Sequence, residues 1–242
     1  LVPPWRLKGA VDFRRALAAG RAQTLDDVPL QHSDLAFLQY TGGTTGVAKG
    51  AMLSHGNMVA NVLQVGAWMS PNLNDGEETL ILPLPLYHVF ALTGALSFFS
   101  KGAQAVLIPN PRDLPAFLQV LRQTRFTAII GVNTLFRALL DAPGFATVDL
   151  RSLKLAVAGG MAVQQVVAHR WKERAGVPLV EGYGLTESAP VAIANPVDGD
   201  QARPGAGIGD QMRVPDLVEQ GLRHGWFRRL PSSPRPRCAS RA

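Results

Sequence analysis

The sequence predicts an α/β fold: layered parallel sheets covered by helices, followed by a disordered C-terminal tail. Three observations predict it. Short apolar runs such as "TLILPLP", "FTAIIG" and "LKLAVAGG" alternate with longer segments of helical period. The runs are apolar throughout, as strands buried on both faces are. The turns between them are short and marked by Gly or Pro, which fits strand–helix–strand units.

The elements follow in order. The first 35 residues carry no strong period, although "VDFRRALAAG" reads as a short helix with Gly20 as its C-cap. "DLAFLQY" (Asp34–Tyr40) reads as a buried strand running into "TGGTTGVAKG". "SHGNMVANVLQVGAWM" reads as a helix with Ser54 or Asn57 near its N-cap. "TLILPLP" (Thr79–Pro85) is a strand, "VFALTGALSFF" a helix and "AQAVLI" (Ala103–Ile108) a strand. "DLPAFLQVLRQ" is a helix capped by Asp113, with Pro115 tolerated in its first turn. "FTAIIG" and "LKLAVAGG" are strands that lead into helices over "NTLFRALLDA" and "VQQVVAHRWKERAG", the latter stopped at Gly176, and "PLVEGYG" is the next strand. Beyond about Arg203 the period stops, and the Arg, Pro and Ser content of residues 210–242 reads as disorder. There is no internal repeat.

Composition bounds the function. A chain of 242 residues, 47% hydrophobic and 17% charged, fits one large globular domain or two small ones. The longest apolar run, near Val89–Phe99, is too short to span a bilayer. The chain starts at Leu1 with no signal-peptide pattern, so it is expected to begin inside a longer protein. Its one cysteine, Cys238, excludes an internal disulfide and points to a reducing compartment. Five scattered histidines show no zinc-site spacing. The net charge of +6 belongs to the tail: residues 1–202 hold 16 Lys+Arg against 15 Asp+Glu, whereas residues 203–242 hold 8 Arg against 3 acids. That tail could contact nucleic-acid phosphates, but no aromatic platform or nucleic-acid-binding module accompanies it, and nucleic acid is not expected as a partner.

Four stretches carry chemistry. In "TGGTTGVAKG", Gly42, Gly43 and Gly46 allow close backbone approach, Thr41, Thr44 and Thr45 add hydroxyls, and Lys49 adds a positive charge. That set suits a polyphosphate. The spacing is neither GxxxxGK[ST] nor GxGxxG, and a flexible Gly/Thr turn is the competing reading. "EGYGLTES" ends a strand where open sheets place ligands. There Glu187 could hold a divalent cation, Thr186 a phosphate oxygen, and Tyr183 could stack on a base; a polar turn with a solvated glutamate is the alternative. His88 in "LPLYHVFA" reads locally as a satisfied core histidine or a catalytic one. "AGGM" (Ala158–Met161) reads equally as a strand-to-helix turn or a site of close approach.

Taken together, "YTGGTTGVAKGAMLSHGN", "LPLYHVFAL", "NPRD", "FTAIIGVNTLF", "AGGMAVQQVVAHRW" and "EGYGLTESAP" resemble the acyl-adenylate-forming (AMP-binding) superfamily, and within it the bacterial long-chain fatty-acid–CoA ligases. The resemblance covers about Val2 to Gly209. It implies that residues 1–209 are the central part of the large N-terminal domain of the adenylate-forming fold, and that residues 210–242 are an unmatched tail. It implies ATP and Mg2+ as cofactors, CoA as co-substrate and a long-chain fatty acid as substrate. Thr41–Gly46 and Lys49 would lie over the ATP phosphates, and Gly159, Gly160 and Met161 against the adenine. Glu181, Gly182, Tyr183 and Gly184 would complete the nucleotide site. Thr186 would contact phosphate, Glu187 would bind Mg2+, and His88 would lie near the fatty carboxylate and the α-phosphate. Val89, Phe90, Gly131 and Val132 would wall the acyl tunnel. The implied location is cytoplasmic, with peripheral association at the inner face of the cell membrane as an option; the oligomeric state is not specified.

The departures are as informative. The family begins well before Leu1 and continues past Gly209 with a ribose-binding aspartate and a small C-terminal domain carrying a catalytic lysine. No lysine follows Lys172 here, and the Arg/Pro/Ser segment resembles translation in a shifted frame. The expectation is a fragment impaired or inactive alone. Another acyl- or aryl-adenylating enzyme, or a non-catalytic truncated nucleotide-binding product, are the alternative readings.

Overall fold

The computed structural model describes residues 8–41, 49–197 and 212–213. The stretch holding Gly42, Gly43, Thr44, Thr45 and Gly46, and the tail apart from Met212–Arg213, lie outside the described residues. The chain divides into two units, Leu1–Gln31 and His32–Ala242. In the first, helix α1 (Phe13–Gly20) starts at Asp12, whose carboxylate accepts from the Arg15 N–H at 3.0 Å. Gly20 is its last helical residue and Arg21, not Gly20, is the C-cap.

The second unit opens with an antiparallel ribbon, β1 (Leu35–Thr41) and β2 (Lys49–Ser54). This corrects the expectation of a buried strand at Asp34–Tyr40: Leu38, Tyr40 and Met52 face outward, 55%, 65% and 73% exposed. An apolar run gives no sign of which face has a neighbour. Lys49 is the first residue of β2 and pairs with Thr41. Ser54 then caps α2 (His55–Met69) in a reciprocal box with Asn57.

The main sheet follows from β3 (Thr79–Leu82), α3 (Val89–Ser100), β4 (Gln104–Leu107), α4 (Leu114–Gln123), β5 (Ala128–Gly131), α5 (Asn133–Asp141), β6 (Leu155–Ala158), α6 (Gln165–Ala175) and β7 (Leu179–Gly184). It is completed by β8 (Val191–Ala194) and β9 (Met212–Arg213) in the order β4-β3-β5-β6-β7-β8-β9. The first five of these run parallel, and β8 and β9 are antiparallel to their neighbours. β9 falls within the segment read from sequence as patternless.

Strand alternation explains the layers. Leu80, Leu82, Ile130, Leu155, Val157 and Val180 face α2 and α3 through Val65, Trp68, Ala91, Ala95 and Phe98. Ile81, Ile129, Ala156, Ala158 and Leu179 face the other way, onto Phe117 and Leu121 of α4, Phe136 and Leu139 of α5, and Trp171 of α6. Trp171 is fully buried, edge-on to Phe136 at 4.8 Å. Asp113 caps α4 through the Ala116 N–H at 3.1 Å, and Gly176 ends α6 at φ +73°. The chain leaves β3 through α3 to the edge strand β4, then crosses back through α4 to β5 on the other side of β3. The two connections cover opposite faces, so a crevice opens at the carboxyl ends of β3 and β5, where such sheets bind ligands.

Candidate functional site

A cavity of about 370 Å³ lies beside that crevice, between α2, α3 and strands β5 to β8. Its interior is apolar. Val65, Trp68 and Met69 come from one face of α2, and Phe90, Thr93, Gly94 and Phe98 from one face of α3. Ile130, Leu155 and Val157 form the sheet side. Its mouth is polar: Thr41 at the end of β1, His88 at the N-cap of α3, and Tyr183, Thr186 and Glu187 from β7 and the turn after it.

Each mouth residue is placed by local structure. His88 ends the loop leaving β3, and its Nδ1 accepts from the Phe90 N–H at 3.2 Å, which leaves Nε2 as the nitrogen free to donate. The Gln39 amide on β1 donates to the Tyr87 carbonyl at 2.8 Å, joining the ribbon to the His88 loop. Leu185 N–H donates to the Pro190 carbonyl at 3.0 Å, closing a loop whose short 3-10 turn (Thr186–Ser188) carries Thr186 and Glu187. Ser188 ties this loop further, its hydroxyl donating to the Pro190 carbonyl and accepting from the Leu185 N–H. Gly159 extends the β6 ladder, donating to the Gly131 carbonyl at 3.1 Å. A β-carbon on it would stand 3.1 Å from the Phe90 ring and 3.3 Å from the Gly182 carbonyl oxygen, so ring and strand close in only on a glycine. Gly160 follows at φ +76°, a conformation costly to other residues.

Of the residues singled out in the sequence, Thr41, His88, Val89, Phe90, Gly159, Gly160, Gly182, Tyr183, Gly184, Thr186 and Glu187 line this one cavity. Five do not. Lys49 lies on β2, its carbonyl accepting from the Thr41 hydroxyl at 3.4 Å. Met161 is 48% exposed on the turn before α6. The Glu181 carboxylate instead accepts from the Val163 N–H at 3.1 Å and fastens that turn. Gly131 packs under α5, where a β-carbon would meet Leu135 and Phe136 at 3.0 Å, and Val132 is the N-cap of α5. Of the α3 face, Val89 and Phe90 were recognised in the sequence but not Thr93, Gly94 and Phe98, and the α2 face was missed altogether, although the i, i+3, i+4 spacing of Val65, Trp68 and Met69, and of Phe90, Thr93 and Gly94, marks both.

Among the described residues no group of three or more His, Cys, Asp or Glu is placed to hold a metal. One carboxylate, Glu187, with the Thr186 hydroxyl beside it, fits Mg2+ only if phosphate oxygens and water complete the octahedron, which is how Mg2+ commonly sits beside nucleotides. A buried carboxylate lies at the amino ends of the strands, away from the polar mouth. Glu78, just before β3, is 2% exposed and accepts from Lys154 Nζ at 2.7 Å and the Asn74 N–H at 2.7 Å. Burial pushes its pKa up, but the Lys154 ammonium and the Asn74 N–H outweigh this and hold it below the ordinary glutamate value. Among the described residues no helix is long and apolar enough to cross a membrane.

Comparison with known proteins finds relatives in sequence and in fold. The chain is 54% identical over 201 residues to the long-chain-fatty-acid–CoA ligase of Escherichia coli O6:H1, and 36% identical over 173 residues to that of Bacillus subtilis. Those alignments cover 83% and 71% of this chain but 36% and 30% of the relatives, so the chain spans about a third of their length. Among solved structures it is similar to the anthranilate CoA ligase AuaEII in complex with anthranoyl-AMP, with a TM-score of 0.72, 27% identity, and coverage of 84% of this chain and 38% of that one. It is also similar to ATP-bound MatB from Rhodopseudomonas palustris, with a TM-score of 0.64, 28% identity, and coverage of 79% and 37%. The sequence model of the AMP-binding enzyme family matches residues 5–217, reaching past the Gly209 boundary of the motif resemblance. The chain therefore belongs to the AMP-binding enzyme family.

Proposed function

We propose that this chain is the nucleotide- and acyl-binding part of a long-chain fatty-acid–CoA ligase, with residues 1–209 and the β9 strand as a partial adenylation domain and the residues beyond the family match outside it. The observation that carries the reading is a single cavity with an apolar interior and a polar mouth. An acyl chain needs the first and a nucleotide phosphate the second, and the reaction joins them.

In the first step a fatty carboxylate oxygen bonds to the α-phosphorus of ATP, and the bond from that phosphorus to the bridging oxygen breaks, releasing pyrophosphate. In the second the CoA thiol, losing its proton, bonds to the acyl carbon and AMP leaves. The cavity wall between α2, α3 and the sheet would hold the tail and exclude water. His88, with Nε2 free to donate, would orient the carboxylate at the mouth. Gly159, Gly160 and Tyr183 would form the adenine side, and Thr41, Lys49, the Gly42–Gly46 segment and Thr186 the phosphate side. Mg2+ held by Glu187 would neutralise charge developing on the phosphoryl oxygens. Gly131 and Val132 would support the tunnel from behind, through Phe136 and Gly160.

The test uses purified chain with ATP, Mg2+, a long-chain fatty acid and CoA, following pyrophosphate and thioester separately. The expected result is pyrophosphate release that requires the acid. It should be slow, with little thioester, because the resemblance assigns a catalytic lysine to a position beyond Lys172, the last lysine here. Pyrophosphate release that ignores the acid would overturn the reading.

A further inference from the structure

We propose that Asn61 is a positioning residue for the nucleotide site, holding the Thr186–Glu187 turn to the helix that follows the β1–β2 ribbon; this rests on the nucleotide-binding reading above. Asn61 sits in the interior of α2, where asparagine is a poor helix former, and is 3% exposed. A buried amide needs partners. Those of Asn61 lie 130 residues away: Nδ2 donates to the Val191 carbonyl at 2.8 Å, and Oδ1 accepts from the Val191 N–H at 3.1 Å. The side chain thus serves β8 as a neighbouring strand's peptide would. Nδ2 also donates to Gln64 Oε1 at 3.2 Å.

The location of this clamp gives it consequences. Val191 is the first residue beyond the loop that the Leu185–Pro190 bond closes, and that loop presents Thr186 and Glu187 to the cavity. At its other end α2 begins at His55, directly after the strand that starts with Lys49. Further along the seam, Trp68 Nε1 donates to the Asn195 carbonyl at 3.0 Å and Asn72 Nδ2 to the Val197 carbonyl at 3.3 Å. These fasten the segment after β8. Among the described residues of α2, Asn61 is the side chain that hydrogen-bonds its entry, at Val191, four residues from Glu187. Helix α2 is therefore a strut between the ribbon and the turn, with one amide at its contact with the turn.

The test compares Asn61→Leu, which keeps the branched shape with more bulk and loses both bonds to Val191, with Asn61→Asp, which keeps the acceptor for the Val191 N–H and loses the donor. Affinity of the purified chain for ATP is measured with and without Mg2+, and hydrogen exchange is followed at Val191. Asn61→Leu should raise the Kd for MgATP on the order of tenfold, from about one to two hydrogen bonds' worth of misplacement. It should leave Mg2+-free ATP within about twofold of the unsubstituted chain. Asn61→Asp should fall between, and carries the test if the Leu variant does not fold. In a Glu187→Gln background either change should have no further effect, since the turn then has no cation to place. Unchanged MgATP affinity in a folded variant, or equal loss with and without Mg2+, would overturn the proposal. An unsubstituted chain that binds no MgATP would instead overturn the nucleotide-binding reading, before any Asn61 variant is made.

Discussion

Replacing Lys154 by Met removes the cation from a buried carboxylate while leaving the site alone. Lys154 Nζ lies 2.7 Å from Glu78 Oε1, and Glu78 is 2% exposed, with Oε2 bonded to nothing among the described residues. Stripping one partner from a buried pair costs about 3–5 kcal/mol. Here the Lys154 side chain is 35% exposed, so water reaches the pair, and the Asn74 N–H remains on the carboxylate. The expected loss at pH 7 is therefore smaller, about 2–3 kcal/mol. For a chain of this size that lowers Tm by roughly 4–12 °C. The dependence on pH follows from the direction of the shift. In the unsubstituted chain Glu78 has a lowered pKa, so its contribution is complete above the ordinary value of 4.5 and is lost as pH falls through the folded value. In the variant burial is less opposed, its carboxyl pKa rises, and protonation relieves the penalty as pH falls from 7. The gap between the two should thus narrow steadily toward pH 4. Urea melts at several pH values measure it. A gap below about 0.5 kcal/mol at pH 7, or one that widens in acid, would refute the reasoning. Both groups precede strands β3 and β6, at the opposite end of the sheet from the cavity's polar mouth, so nucleotide affinity per folded molecule should not change.

Further outcomes are expected. Thr93 Oγ1 is buried with no hydrogen-bond partner among the described residues, so Thr93→Val should stabilise the chain by about 1 kcal/mol; a destabilisation of that size in thermal melts would show that the hydroxyl has a partner. Glu187→Gln should weaken ATP binding with Mg2+ present and leave it nearly unchanged in EDTA, as titration calorimetry would record; equal loss in both would remove the cation from the account. Trp171→Ala, at a side chain with no exposed surface between Phe136 and Phe145, should cost about 3–5 kcal/mol in urea melts; a loss under 1 kcal/mol would mean that α6 is not held by this contact.

Much of this was legible in the sequence, for definite reasons. β3, β5 and β6 are buried on both faces and so read as unbroken apolar runs, and Asp113 and Gly176 mark helix ends with their own chemistry. The ribbon was not legible. "LAFLQY" has the composition of a core strand, and its partner "KGAMLS" opens with a lysine and a glycine, which hid β2 altogether. β8 was hidden between Pro190 and Pro196, since five residues between prolines look like a loop. At the site, the motifs located the polar mouth because its chemistry is local: hydroxyls, a histidine and a carboxylate at short spacing. The apolar interior comes from faces of α2 and α3 that read as ordinary core. Glu181 and Asn61 have meaning only through partners 18 and 130 residues away, which no local pattern carries.

The central claim is that one cavity receives both an acyl chain and a nucleotide. The most direct measurement is calorimetric titration of the purified chain with AMP, with a long-chain fatty acid, and with a stable acyl-adenylate mimic that joins the two. A single shared cavity predicts that the mimic binds at 1:1, competes with each half, and binds at least about a hundredfold tighter than the better half, because the second half no longer loses its translational freedom. A mimic no tighter than its better half, or a fatty acid and AMP that fail to compete with it, would contradict the claim.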